Sequence, residues 1–238
     1  MILWQFPTMG RPEKFISFLD RWIATSSGQN RVVFNINCDY GDHSMNNVGI
    51  QQEIRERDLS SQFPHVAIEL NYDRDTTKIG SVNAHANDVA GWDIVVVVSD
   101  DMVPDQNWDI VITEVMSENF PDLDGAVHSN DGSENPQDLI TLSILGRKLY
   151  ESFGYIYHPD YKVLYCDNEF TDVVYQREKV VYVDKIVAKH AHYSIDGNEN
   201  SGEVDYTARK TLALSGRDQK VYETRRKMGY PSYRITND

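Results

Sequence analysis

The chain has 238 residues and a formal net charge of −14, with a sequence pI of about 4.8, a balance that works against bulk electrostatic attachment to nucleic acid or anionic membrane. Hydrophobic residues make up 40% of it and aromatics 11%, enough for a buried core. Two cysteines, Cys38 and Cys166, cannot build a disulfide framework, and no apolar run has the length of a membrane span or the pattern of a leader. A soluble cytoplasmic protein is therefore expected.

Taken in order, the chain alternates between strand and helix patterns. Ile2–Phe6 reads as a short first strand, followed by a turn and by Pro12, a residue suited to the first position of a helix. Phe15, Phe18, Leu19, Trp22 and Ile23 then recur at helical spacing on one face. A strand over Arg31–Asn37 ends at Cys38-Asp39; a weaker helical segment covers Val48–Leu59, and a strand covers Val66–Leu70. Lys78–Val89 reads as helix and leads into Ile94–Val98, an apolar run with no polar alternation. Such a run fits a parallel strand covered on both faces, and the alternation as a whole predicts a doubly wound, mostly parallel sheet.

The second half is less regular. Trp108–Met116 reads as helix, Gly125–His128 as a short strand, and Leu139–Leu145 as an apolar strand or the start of a helix. Arg147–Phe153 reads as a helix stopped by Gly154, and Val180–Val183 and Ile186–His192 read as strands. Asp196–Gly202 has the composition of a flexible loop, a candidate lid. Residues 205–238 hold eight Lys or Arg against four Asp or Glu, a basic and helical tail on an acidic body. With no repeat and no clear linker, one domain is expected.

Several chemistries are missing from the sequence. There is no G-x-G-x-x-G or G-x-x-x-x-G-K-[ST] loop, no G-x-S-x-G elbow and no paired-cysteine zinc spacing. What remains is a set of acids and histidines at strand ends. Asp39 is placed either to accept hydrogen bonds from a nucleoside or simply to form a turn. Asp100 and Asp101 end the apolar strand, where hard carboxylate oxygens suit Mg²⁺ or Mn²⁺; one direct ligand and one supporting contact are expected. In Tyr165–Phe170, Asp167 and Glu169 project to the same side if the piece is extended. If it opens a helix, Asp167 caps it and Glu169 lies in the first turn. An acid held near an acceptor hydroxyl is what a general base requires. His190 and His192 share one face of a strand, as one metal ligand and one phosphate or acceptor contact or as two surface histidines.

The order of these pieces resembles the GT-A fold, and in particular the inverting family 2-like nucleotide-sugar glycosyltransferases of short phage or bacterial type. The resemblance runs patchwise from about residue 2 to 192. Phe6–Pro12 is similar to the family's first strand and turn, which implies that Pro7, Thr8, Gly10 and Arg11 surround the nucleobase. Asp39 matches the nucleoside-contacting acid, and Lys78 and Asn83 fall in the segment that faces the donor. Ser99-Asp100-Asp101 stands where the family carries Asp-x-Asp, with Asp101 aligned to its metal-binding acid and Asp100 left to support the nucleotide or the loop. Tyr165–Glu169 resembles the later acidic motif, with Asp167 at the base position, Cys166 replacing a Glu and Glu169 replacing the final Asp. His190 or His192 matches a late histidine that completes the metal shell.

The resemblance implies a Rossmann-like, mostly parallel sheet flanked by helices, a smaller acceptor-side sheet and a helical C-terminal tail. It divides the chain into a nucleotide-binding half (1–102), an acceptor and catalytic half (103–192), and a loop with a basic tail (193–238). The implied activity is a metal-dependent hexosyl or pentosyl transfer from a nucleotide-sugar, with UDP as the expected nucleotide and Mn²⁺ or Mg²⁺ as the cofactor. Asp167 acts as the base, with Glu169 beside it and Arg225 and Arg226 closing over the phosphates, and one base without a second nucleophile favours inversion. The acceptor would be a glycan or another soluble hydroxyl compound, with modified DNA as a minor option and no membrane partner. The alternatives are a degenerate nucleotide- or glycan-binding protein and a sugar-phosphate nucleotidyltransferase.

Overall fold

The structure is a computed structural model that describes residues 1–58, 62–74, 77–190 and 206–231, the side chains of 206–212 excepted. The elements of the first half are β1 (Ile2–Thr8), α1 (Pro12–Thr25), β2 (Val32–Asp39), α2 (Val48–Asp58), β3 (Val66–Asp73), α3 (Lys78–Asn83) and β4 (Ile94–Val97). Those of the second half are β5 (Met102–Pro104), α4 (Trp108–Asn119), β6 (Ala126–Asn130), β7 (Ile144–Gly146), α5 (Arg147–Phe153), α6 (Cys166–Gln176), β8 (Val180–Ile186), β9 (Ala188–His190) and α7 (Tyr206–Lys227).

Seven strands form one sheet in the order β3-β2-β1-β4-β7-β6-β8, and β5 and β9 form a separate antiparallel pair. The strands β3, β2, β1 and β4 are parallel; β7 runs antiparallel to both of its neighbours, and β8 pairs parallel with β6. Because side chains alternate across a strand, the sheet feeds two cores. Trp4, Phe6, Phe34 and Val96 face α1 and α4 on one side, whereas Leu3, Val33, Val95 and Val97 face α3, α5 and α6 on the other. The apolar run at 94–98 is buried throughout, which is why it shows no polar alternation.

The helical stripe predicted for α1 is the one buried, with Trp22 set edge-on against Trp108 of α4 at 5.0 Å and near Trp4 at 5.7 Å. On the opposite face a relay of buried amides crosses the sheet. Gln5 Nε2 donates to the carbonyls of Val82 and Ala84, Asn35 Nδ2 donates to Gln5 Oε1, and Asn71 Nδ2 donates to Asn35 Oδ1. These bonds tie the end of α3 to the sheet and help explain a difference from the sequence reading. The helix predicted over Lys78–Val89 stops at Asn83, and His85 then turns into the left-handed region at φ 60°. Likewise, the apolar stretch Leu139–Leu145 supplies strand only at its end, since Ile140 N donates to Thr171 Oγ1 of α6 rather than to a ladder.

Candidate active site

The carboxyl ends of β1, β2 and β4 open on the same edge of the sheet, the place where α/β folds take ligands. After β1 the chain turns through Gly10, whose φ of 74° favours glycine and whose N–H donates to Asp42 Oδ2 at 2.6 Å. Pro7 and Thr8 lie half-buried at the end of β1, and Asp39 lies half-buried at the end of β2 with its Oδ1 accepting from Gly41 N–H. Asp39 thus makes the local turn while keeping its position at the strand mouth.

Past β4, Met102 N–H bonds back to Ser99 carbonyl at 3.2 Å, a tight turn that presents Asp100 and Asp101. Their side chains part company. Asp100 Oδ2 pairs with Arg11 Nη1 at 2.8 Å, with Lys14 Nζ at 3.7 Å, and so ties the β4 turn to the start of α1. Asp101 accepts from the Ser99 hydroxyl and meets His190 Nε2 at 3.2 Å. The pairing of β5 with β9 brings these two together across 89 residues by setting Met102 opposite His190. His190 N–H also donates to the carbonyl of Asp131, whose buried carboxylate accepts from Thr141 hydroxyl and Ser133 N–H. Nothing in the sequence marked Asp131 except an Asp-Gly turn after a strand.

Electrostatics join Asp167 to this group. Burial pushes the Asp167 carboxyl up, while the nearby Lys78 charge and a hydrogen bond from Asn168 N–H pull it down. Burial also opposes the charge on Asp101, but His190, Ser99 and Lys78 hold it far below the usual carboxylate range. His190 is raised, chiefly by its hydrogen bond to Asp101. Asp101, His190, Lys78 and Asp167 therefore form one electrostatic neighbourhood, and Lys78 is exposed at its rim.

Four expected site residues have other employment. Residues 165–170 open α6 rather than running extended, so Asp167 and Glu169 sit about 200° apart around the helix axis. Glu169 is 0% exposed and is gripped by Arg225 through Nε at 2.7 Å and Nη2 at 2.8 Å, with Tyr161 hydroxyl donating at 2.7 Å. That geometry withdraws both Glu169 from the acceptor side and Arg225 from the donor phosphates. Arg226 of α7 is exposed and lies 3.6 Å from Asp172 of α6. Asn83 clamps the 156–157 turn: its Oδ1 accepts from Ile156 and Tyr157 N–H, and its Nδ2 donates to Tyr157 carbonyl. His192 and the 196–202 loop lie outside the described residues.

A cavity of about 550 Å³ lies along α7 and is lined by Asp160, Arg217, Lys220, Val221, Thr224 and Arg225. None of the Asp101 group lines it, and its two arginines already hold Asp218 and Glu169, so it is not where the chemistry gathers. A divalent cation fits the Asp101–His190 pair in donor type, one hard carboxylate oxygen and one imidazole nitrogen. No cluster of three such side chains occurs among the described residues, so substrate oxygens or water would have to fill the remaining positions.

No family model matches the chain, and no curated protein is similar to it. By structure it is similar to a mannosyltransferase, PcManGT from Pyrobaculum calidifontis, solved with GDP-Man and Mn²⁺. That likeness has a TM-score of 0.61 at 13% identity and covers 98% of this chain and 72% of that one. It is also similar to S. aureus TarS, with a TM-score of 0.59 at 12% identity over 79% of this chain and 36% of that one. A TarS 1–349 structure in complex with UDP-GlcNAc gives 0.56 at 12% identity, covering 79% of this chain and 57% of that one. The chain thus spans about a third of the longer TarS chain. At these identities the likeness is one of fold: this chain has the GT-A fold, a Rossmann-like α/β sheet with a small antiparallel pair and a C-terminal helix.

Proposed function

We propose that the protein is a metal-dependent glycosyltransferase that moves a sugar from a nucleotide-sugar, with UDP as the nucleotide, to an acceptor hydroxyl with inversion. The observation that supports this reading best is the meeting of Asp101 with His190 at the mouth of β4, beside a half-buried Asp167. On this reading Pro7, Thr8 and Asp39 border the nucleoside in the 1–102 half, and Asp100 holds Arg11 at the phosphate end. Asp101 and His190 would hold a Mn²⁺ or Mg²⁺ ion, which would supply positive charge for the leaving diphosphate.

Asp167 takes the proton from the acceptor hydroxyl. Burial makes its carboxylate more basic, and the Lys78 charge works in the opposite sense. Lys78, exposed at the rim, is placed to meet the diphosphate. With Arg225 turned inward, the C-terminal helix supplies fewer free cations than its composition implies, which weakens modified DNA as an acceptor. No helix among the described residues is long and apolar enough to cross a membrane. The test is a donor panel with Mn²⁺ or Mg²⁺, read as release of nucleoside diphosphate. One donor should turn over or hydrolyse slowly, and Asp101→Asn should sharply lower the metal-dependent part; no release from any donor would refute the reading.

A further inference from the structure

We propose that Asp218 of α7 is a positioning residue for the transfer reaction, because it holds the loop 162–164 that seats Lys78 and Asp167. The inference rests on the glycosyltransferase reading above. Asp218 is 0% exposed, and its Oδ2 accepts three consecutive backbone N–H groups, from Lys162 at 3.0 Å, Val163 at 2.7 Å and Leu164 at 3.1 Å. Three successive amides closing on one oxygen form an anion nest, here filled by a carboxylate from 54 to 56 residues away. The other oxygen accepts from Arg217 Nη1 at 2.7 Å.

What the loop carries gives this contact its meaning. Lys162 carbonyl accepts Ile79 N–H at 3.1 Å, so the same three residues hold the first turn of α3, next to Lys78. On its other side the loop runs into Tyr165, whose backbone is left-handed at φ 64°, and then into α6 and Asp167. A tyrosine at that φ is strained and keeps it only when neighbours impose it. Tyr222 of α7 stacks on the Tyr165 ring at 5.9 Å. The loop has no ladder of its own, so without Asp218 three inward-facing donors lose their shared acceptor, and the seats of both Lys78 and Asp167 loosen.

Asp218→Asn keeps the shape and an acceptor but removes the charge. With an active donor it should lower kcat at least about tenfold, as expected when reacting groups are displaced by a fraction of an ångström, and should also weaken the Kd for UDP, because the same loop seats Lys78. In an Asp167→Asn background the same change should lower kcat much less than in the wild type, because the part that acts through that base is already gone. Arg217→Gln, at a partly exposed position, should fold and give a smaller kcat loss of about threefold. A folded Asp218→Asn with unchanged kcat, a loss that adds in full to that of Asp167→Asn, or an unaffected Arg217→Gln would each overturn the proposal. If the wild type turns over no donor, the reaction reading fails. The positioning claim is then read by amide NMR, where the Ile79 and Asn168 N–H resonances should shift in Asp218→Asn; unmoved resonances overturn it.

Discussion

Asp100 and Asp101 are neighbours with opposite employments, and the difference is a matter of what each side chain meets. Asp100 is neutralised by Arg11 and Lys14, whereas Asp101 meets a histidine and the rim of the Lys78 field. Asp101→Asn should therefore lower metal-dependent turnover on the order of a hundredfold, measured as nucleoside diphosphate release, while leaving the thermal midpoint nearly unchanged. Glu169 and Arg225 make the opposite case. Both are buried and each satisfies the other, so Arg225→Met strands a carboxylate and should destabilise the fold by about 3–5 kcal/mol in a urea titration. A change in kcat without a loss of stability would return Glu169 to the acceptor side.

At the scale of elements, the short β5–β9 pair decides whether a site exists at all. It has three residue pairs, and one of them sets His190 opposite Met102. A one-residue slip in such a ladder turns every side chain to the other face. An alanine inserted between Val187 and Ala188 should remove metal-dependent turnover about as fully as Asp101→Asn, with only a small drop in the urea midpoint; retained activity would mean that His190 is not a ligand. The β-branched run Ile94–Val98 that forms β4 and its exit, the α1 stripe and the Gly154 stop were readable because each follows from local spacing and burial. The early end of α3 was not, because the amide relay that terminates it is assembled from Gln5, Asn35 and Asn71 on three different strands.

For the whole molecule, charge sets the response to pH. His85 bridges Asp73 at 2.9 Å and Asp88 at 2.7 Å; burial opposes its charge, but the two carboxylates raise its proton affinity above that of the unfolded chain. The stability it contributes is thus fully present below about pH 6.5 and is lost as pH rises through the folded midpoint. The urea-midpoint advantage of wild type over His85→Asn should shrink between about pH 6 and pH 9; a constant difference would count against the bridge. Asp218 carries the opposite sign. Burial works against its charge, but its hydrogen bonds depress its proton affinity, so its contribution is present above about pH 4 and is lost on acidification.

The sequence by itself determined the class of fold and the strand ends at which Asp39 and Asp101 are offered. Those follow from hydrophobic periodicity and from the rule that ligands gather at the carboxyl ends of parallel strands. Tertiary structure alone decided which of the acids stand together. Asp101 and His190 meet only through an antiparallel pairing, Glu169 turns from site to core because α6 is helical, and Asp131 and Asp218 bond the backbone of His190 and of the loop before α6 from far along the chain. The physical reason is range: periodicity records the face on which a residue lies, while a hydrogen bond across 50 or more residues depends on register and crossover, which no local pattern encodes.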